Sequence, residues 1–294
     1  MIQELFTEYD GAYADNTKRA YRADFQHYEQ WCLDQNIDPF HATDEILSRY
    51  VSELRGHVKP ACINRKIHCL SCLFNLLDLP NPTKGKKVKL ALKIMYRQEG
   101  RAQKQATPLR LDVLQCLQQA CGSNLAGDRD RLLLQLGYET MRRRSELVSF
   151  RFEHVQSLSK NRHAIWLARS KTDQYGDGKL IPISNELYEM IITWGKRIKA
   201  KNGPILRSVS VHGQVGDSLS GDSVPRILKR LQRKANLNEL SPLSGHSFRV
   251  GAALDLLEEG VPIYQIMLRG GWASETSALR YLKSWQPQAM PFFK

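Results

Sequence analysis

The chain has 294 residues, enough for one or two domains that each bury a core. Lys and Arg total 43 against 30 Asp and Glu, a formal net charge of +13. Such an excess points to a polyanionic partner, because Lys and Arg displace the counterions of a phosphate backbone; the plainer alternative is a basic protein that is merely soluble. No leader-like segment or membrane-length apolar run is visible, so no membrane partner is expected and a reducing cytoplasm is the expected compartment.

Apolar spacing in the first hundred residues is helical. A first helix runs through Tyr21, Phe25, Tyr28 and Trp31 to Leu33, with Asn16 or Thr17 as the expected cap. Thr43 and Asp44 precede a second, carrying Ile46, Leu47, Tyr50 and Leu54. A third holds Ile63, Ile67, Leu70, Phe74 and Leu77, and stops before Pro80 and Pro82, where a missing N–H and a bulky ring break the ladder. A fourth is expected over 88–96. Residues 1–100 thus read as a small helical domain, 101–107 as a polar linker and 108–294 as a second domain.

In the second domain helices are expected at 111–120 and 128–138. The period then changes. HAIWLAR at 163–169 and KLIPIS at 179–184 are β-rich runs separated by a loop containing Tyr175, Gly176, Asp177 and Gly178, which reads as a hairpin. Pro182 confines the second run to an edge strand. Helices return at 185–199, 223–234, 248–259, 262–268 and 278–285. The fold class is therefore mainly α with a small β-sheet (α+β).

The six cysteines give no framework: Cys69 and Cys72 are the one close pair, inside an apolar helical pattern, and read as packed thiols rather than a metal or redox centre. Basic residues cluster. The stretch 84–104 holds eight Lys or Arg and one Glu, with Lys84, Lys86, Lys87 and Lys89 at its start, and reads as a phosphate-tracking segment against the alternative of a solvated face. Arg226, Lys229, Arg230, Arg233 and Lys234 recur at helical spacing and put like charges on one face, which favours a polyanion there. A third group, Lys196, Arg197, Lys199 and Lys201, reads equally well as complementing a helix dipole.

Four short patches carry chemistry: Arg143 in ETMRRRSEL, Lys171 in ARSKTD, His246 and Arg249 in GHSFR, and Tyr281 in ALRYLK. A tyrosine hydroxyl, with an ordinary pKa of about 10, is a weak nucleophile that needs a cationic or basic neighbour. An attacked phosphorus gathers negative charge on its non-bridging oxygens, which two guanidinium forks can hold while staying charged. The departing sugar oxygen needs a proton, which a lysine of lowered pKa can give. Singly, each residue has an ordinary reading: a basic turn at 142–144, a satisfied buried His246, a half-buried aromatic Tyr281. Their joint order is what carries the signal.

That constellation closely resembles the tyrosine recombinase (phage integrase) family, nearest to its Cre-like site-specific recombinases. The match is carried by YETMRRRSELVSFR at 138–151, SKT at 170–172, GHSFRVGAALDLLEEGV at 245–261 and IMLRGGWASETSALRYL at 266–282. It is good from Pro108 to Leu282 and only general before that. The resemblance implies Arg143 as the first family arginine with Glu146 as its orienting carboxylate, Lys171 as the hairpin lysine, His246 and Arg249 as the His-x-x-Arg pair, and Tyr281 as nucleophile. Trp272 stands where most members have His and Cre-like members have Trp; it can donate one N–H but cannot titrate.

The resemblance further implies a two-domain, C-shaped clamp on duplex DNA. It implies cutting and rejoining through a 3′-phosphotyrosine link and a Holliday junction, with no metal, ATP or other cofactor. The implied partners are double-stranded DNA with paired inverted-repeat sites and three further copies of the chain, a homotetramer on two sites, nucleoid-associated in the cytoplasm. Two other readings share the residues: a type IB topoisomerase that rejoins the same strand, and a DNA-binding regulator that keeps the fold without the reaction. The tail from Leu282 to Lys294, with Trp285, Met290, Phe292 and Phe293, is too apolar for a free surface and is expected to dock on a neighbouring protomer.

Overall fold

The computed structural model describes residues 12–102, 104–170, 173 and 176–282. Lys171 and the tail 283–294 lie outside the described residues, so the geometry below does not bear on the expectations placed on them. The chain divides into two compact units, Met1–Lys104 and Gln105–Lys294.

The first unit is helical. Helix α1 (Asp15–Asp34) begins after Ala14, which stands as the cap two or three residues before the expected Asn16 or Thr17; Asn16 instead accepts a hydrogen bond from Arg19 at 3.1 Å. Helix α2 (Asp44–Leu54) is capped by Thr43, whose hydroxyl accepts from Ile46 N at 3.3 Å. Helix α3 (Pro60–Leu76) starts on a proline, where no intrahelical N–H is needed. A 3₁₀ turn at Pro82–Lys84 leads into α4 (Lys86–Glu99). Tyr28, Leu47, Tyr50, Ile63 and Met95 are fully buried between these helices. Asp24 is buried too, and Arg65 binds both its oxygens at 2.8 and 3.0 Å, so the buried acceptors are satisfied.

The second unit opens with α5 (Leu111–Gln119) and α6 (Leu125–Thr140), the latter capped by Asn124 and longer than expected at both ends. The short α7 (Arg144–Ser149) follows. A three-stranded antiparallel sheet comes next, in the order β1 (Val155–Ser159), β2 (Arg162–Leu167) and β3 (Lys179–Ile183). The expected hairpin is β2–β3, with Trp166 opposite Leu180, and Pro182 does lie on an edge strand. Strand β1 had no sequence signature: VQSLS is mostly exposed and shows no apolar alternation. Helices α8 (Asn185–Arg197), α9 (Ser223–Lys234), α10 (Ser247–Glu258), α11 (Ile263–Gly270) and α12 (Glu275–Leu282) complete the described chain.

Two hydrophobic clusters hold this unit. The larger joins α5, α6, α8, α9 and the sheet, with Leu133, Leu136, Ile165, Leu187 and Leu228 at its centre. The smaller gathers Met141, Val250, Ala253, Ile266, Trp272, Ala278 and Leu282. Helix α10 serves both, giving Phe248 to the first and Val250 to the second, which is why it is buried nearly all round at its N-terminal end. It also needs Gly251, where a Cβ would lie 1.8 Å from Leu109 O. Helix α12 buries only Ala278 and Leu282 among its residues. The six cysteines are all free thiols.

Candidate active site

The site forms on the smaller cluster, where the α6–α7 turn, α10, the end of α11 and α12 meet. Helix α6 ends on Met141, a buried residue in the left-handed region (φ 52, ψ 30), a conformation that costs a non-glycine residue free energy. Its carbonyl accepts a hydrogen bond from Arg249 Nη1 at 2.5 Å. The same nitrogen donates to Gly270 O at 2.9 Å. Arg249 is completely buried, and its Nε and Nη2 have no hydrogen-bond partner. Burial above all, then the neighbouring Arg143, pull its pKa down, while Tyr281 and Glu146 push the other way.

Around that guanidinium stand two rings. The Arg249 Cζ lies 4.4 Å from the Trp272 ring centre and 5.6 Å from that of Tyr281. The Trp272 and Tyr281 rings are 5.2 Å apart. Trp272 is buried, and its Nε1 also lacks a partner. His246, at the exposed start of α10, lies parallel to Tyr281 with ring centres 6.4 Å apart. Tyr281 itself is half-buried. Gln105 Nε2 donates to its backbone carbonyl, a contact that no motif announces.

Arg143 caps the N-terminus of α7, and Glu146 holds it twice: Oε2 accepts from Arg143 N at 3.1 Å and Oε1 from Arg143 Nη1 at 2.8 Å. Burial opposes ionisation of Glu146 most strongly, but the Arg143 hydrogen bonds and the charges of Arg143 and Arg142 outweigh it, so its pKa is lowered. The expected pairing of Glu146 with Arg143 is thus present. Its neighbours diverge: Arg144 pairs with Asp222 at 2.8 Å, whereas Arg142 is buried, donates to Thr140 O at 2.8 Å and to Arg269 O, and is pulled down to about 10 by desolvation. Sequence reasoning treated Arg142 as part of a basic turn and missed this.

Helix α11 closes in a Schellman arrangement. Gly271 is left-handed (φ 67, ψ 43), its N–H reaches Leu268 O at 3.4 Å, and Trp272 N reaches Met267 O at 3.0 Å. Gly270 has a separate reason to be glycine: a Cβ there would stand 2.0 Å from the Trp272 ring. Both glycines therefore aim Trp272.

Five of the six expected catalytic residues, Arg143, His246, Arg249, Trp272 and Tyr281, come together here. The sixth, Lys171, lies outside the described residues; its flanks Ser170 and Asp173 exchange backbone hydrogen bonds of 3.1 and 3.2 Å. Such an arrangement offers an anion two unpaired guanidinium donors and one indole N–H beside a phenol.

The expected DNA-contacting residues occupy two separate places. In the first unit Lys84, Lys86, Lys87 and Lys89 are exposed, Lys87 paired with Glu45. A cavity of about 570 Å³ on α3 and α4 is lined by Asn64, Lys89, Lys93, Tyr96, Arg97 and Arg101, and the Arg101 Cζ lies 4.3 Å from the Tyr96 ring centre. In the second unit Arg226, Lys229 and Arg233 are exposed on α9. Arg230 departs from that face: it is ion-paired with the buried Asp130, which also binds Arg129 at 2.7 Å.

Comparison with known proteins gives the same direction. The pattern of the Phage integrase family matches residues 108–286. An integrase/recombinase xerD homolog of Selenomonas ruminantium is 28% identical over 281 residues, covering 92% of this chain and 82% of the relative. Recombinase cre of Escherichia phage P1 is 24% identical over 292 residues, covering 93% and 85%. Among solved structures, a lambda integrase tetramer bound to a Holliday junction superposes with a TM-score of 0.68 at 15% identity, covering 98% of this chain and 80% of that one. With the family pattern spanning more than half of the sequence, the chain belongs to the phage integrase family and is a tyrosine-type site-specific recombinase.

Proposed function

We propose that this recombinase cuts and rejoins duplex DNA with Tyr281 as nucleophile, through a 3′-phosphotyrosyl link. One observation carries the reading: the buried, unpartnered Arg249 Nε, Arg249 Nη2 and Trp272 Nε1 lie beside the Tyr281 ring. Buried donors are seldom left without acceptors, and the oxygens of a backbone phosphate would supply them. Arg143, aimed by Glu146, adds the second fork. In this mechanism Tyr281 attacks phosphorus, His246 assists at the ring edge, the arginines hold the non-bridging oxygens, and Lys171 protonates the leaving 5′-oxygen. The link keeps the energy of the phosphodiester, so no ATP is needed, and the two arginine forks take the neutralising role that a metal would otherwise fill. A 5′-hydroxyl from a second strand reverses the step, and two rounds pass through a Holliday junction.

The assembly follows the relative: a lambda integrase tetramer binds such a junction, and four copies of this chain on two inverted-repeat sites would act alike. The first unit, residues 1–100 with the linker 101–107, would close a C-shaped clamp with the catalytic unit around the duplex, in the cytoplasm at the nucleoid, and the tail 283–294 would dock on a neighbouring protomer. A Cre-like placing rests on Trp272 and the GHSFRVGAA run, against the somewhat higher identity of the xerD homolog. The deciding experiment uses a plasmid bearing two copies of the site selected by the protein from random DNA. Recombination should yield two product circles in EDTA without ATP; relaxation alone would make the enzyme a topoisomerase, and loss of product on chelation would refute the metal-free scheme.

Phosphate contact also has a salt signature. The exposed Lys229 and Arg233 of α9 should each add about 0.9 to the magnitude of the log–log salt slope. Changing both to Gln should flatten that slope by about 1.8. An unchanged slope would place this face in solvent.

A further inference from the structure

The α6–α7 turn and the end of α11 are laced together through main-chain carbonyls. Arg269 Nε donates to Glu139 O at 3.2 Å. Arg142 Nη2 donates in the opposite direction, to Arg269 O. Arg249 Nη1 joins Met141 O and Gly270 O at 2.5 and 2.9 Å. The exposed Lys179 adds a bond to Leu268 O at 2.7 Å. A helix C-terminus carries partial negative charge and unpaired carbonyls, so cations are well placed there. The result is a seam in which residues 139–142 face residues 269 and 270.

Within that seam Arg142 joins the two halves of the phosphate clamp. It is buried, and Thr140 O holds its Nε at 2.8 Å, which fixes the direction of the fork. Its Nη1 packs on Gly271: a Cβ there would lie 2.5 Å from that nitrogen. Gly271 is the left-handed residue that closes α11, and Trp272 follows it directly. On the other side, Arg143 follows Arg142 in the chain and opens α7. Burial lowers the Arg142 pKa most; Glu146 raises it, and the charges of Arg249 and Arg143 lower it further. A buried guanidinium in such company is costly to keep, and an apolar side chain could fill the same volume without that cost.

We infer that Arg142 is a positioning residue for the reaction: it fixes the end of α11, and with it the Trp272 indole, against the turn that bears Arg143, so that both address one phosphate. The inference rests on the reading of Trp272 Nε1 as a phosphate donor. It assigns Arg142 no contact with the DNA. Removing the guanidinium should let the indole swing away from the clamp, while Arg249 still joins Met141 O to Gly270 O.

The test is a double-mutant cycle read by single-turnover cleavage of a nicked duplex carrying the selected site. Its members are R142Q, W272F and the double variant, with Tm and DNA affinity measured on each. A glutamine amide is neutral and spans only part of the seam, yet it keeps a donor for a carbonyl, which favours folding. R142Q should cleave roughly tenfold to hundredfold more slowly, the scale of a lost charge-assisted hydrogen bond, with DNA affinity within about twofold of the parent. W272F should be slowed as well, because the indole donor is gone. The double variant should then cleave within about twofold of W272F, since no N–H remains to be aimed; residues that act through one contact do not add. R142M, which keeps no donor, should be at least as slow as R142Q and equally silent in the W272F background. Slowing that multiplies in the double variant, parent-rate cleavage by R142Q, or a loss explained by the fraction unfolded would overturn the inference. If W272F alone cleaves at the parent rate, the reading of Trp272 as a phosphate donor fails first, and the inference falls with it.

Discussion

Tyr281→Phe is expected to bind DNA as the parent does and to form no covalent complex at all. Only the hydroxyl is removed. The ring keeps its place 5.2 Å from Trp272 and parallel to His246, and helix α12 keeps Ala278 and Leu282 in the smaller cluster. The unpartnered Arg249 Nε and Nη2 and Trp272 Nε1 are untouched by the change, although Arg249 loses the support that Tyr281 gives its charge. The measurement is a denaturing gel of protein incubated with a nicked substrate, read beside a binding titration. An SDS-resistant adduct from the phenylalanine variant would remove Tyr281 from the mechanism.

The second large effect is expected at Arg249. Its guanidinium divides in two: Nη1 ties Met141 O and Gly270 O together, while Nε and Nη2 have no partner and, in the proposed mechanism, would take the phosphate. A lysine ammonium is one point charge on a flexible stem and cannot hold both carbonyls and present a planar pair of donors. Arg249→Lys should therefore slow single-turnover cleavage by at least 10² to 10³, the usual loss when a pre-aimed donor to developing charge is removed. DNA affinity should change only severalfold, because most phosphate contacts lie elsewhere. A loss below tenfold would make Arg249 a structural tie and leave the phosphate to other groups.

The reach of the sequence is uneven for physical reasons. His246, Arg249 and Glu146 were legible because the order and spacing of their motifs resemble those of the phage integrase family, whose pattern this chain matches. The apolar periods of α2, α3 and α9 and the β2–β3 hairpin were legible because one buried face repeats at a fixed interval. Strand β1 was not, since its exposed VQSLS run has no such face. Nor was the Ala14 cap, which offers no side-chain acceptor to recognise. The anchors Arg142, Lys179 and Gln105 were invisible for another reason. Each donates to a backbone carbonyl, at Arg269, Leu268 and Tyr281, far away in the sequence. A carbonyl is present at every residue, so no pattern of side chains announces which one will be bound. Arg230 shows a related limit: spacing put it on a cationic face, where its side chain stays 42% exposed, but could not show that it also pairs with the buried Asp130.

The slender footing of α12 sets how firmly the nucleophile is held. Its described buried residues are one alanine and one leucine. Burying a leucine side chain is worth about 1.5–3 kcal/mol, and a methyl adds about 0.8. These two residues hold the helix on the smaller cluster with only about 2–4 kcal/mol, to which the packing of Tyr281 and the bond from Gln105 add, against the far larger core that carries the sheet. A recombinase whose nucleophile sits on so small an apolar contact can withdraw that tyrosine at little cost, so its place in the site is easily set by whatever else packs on the helix.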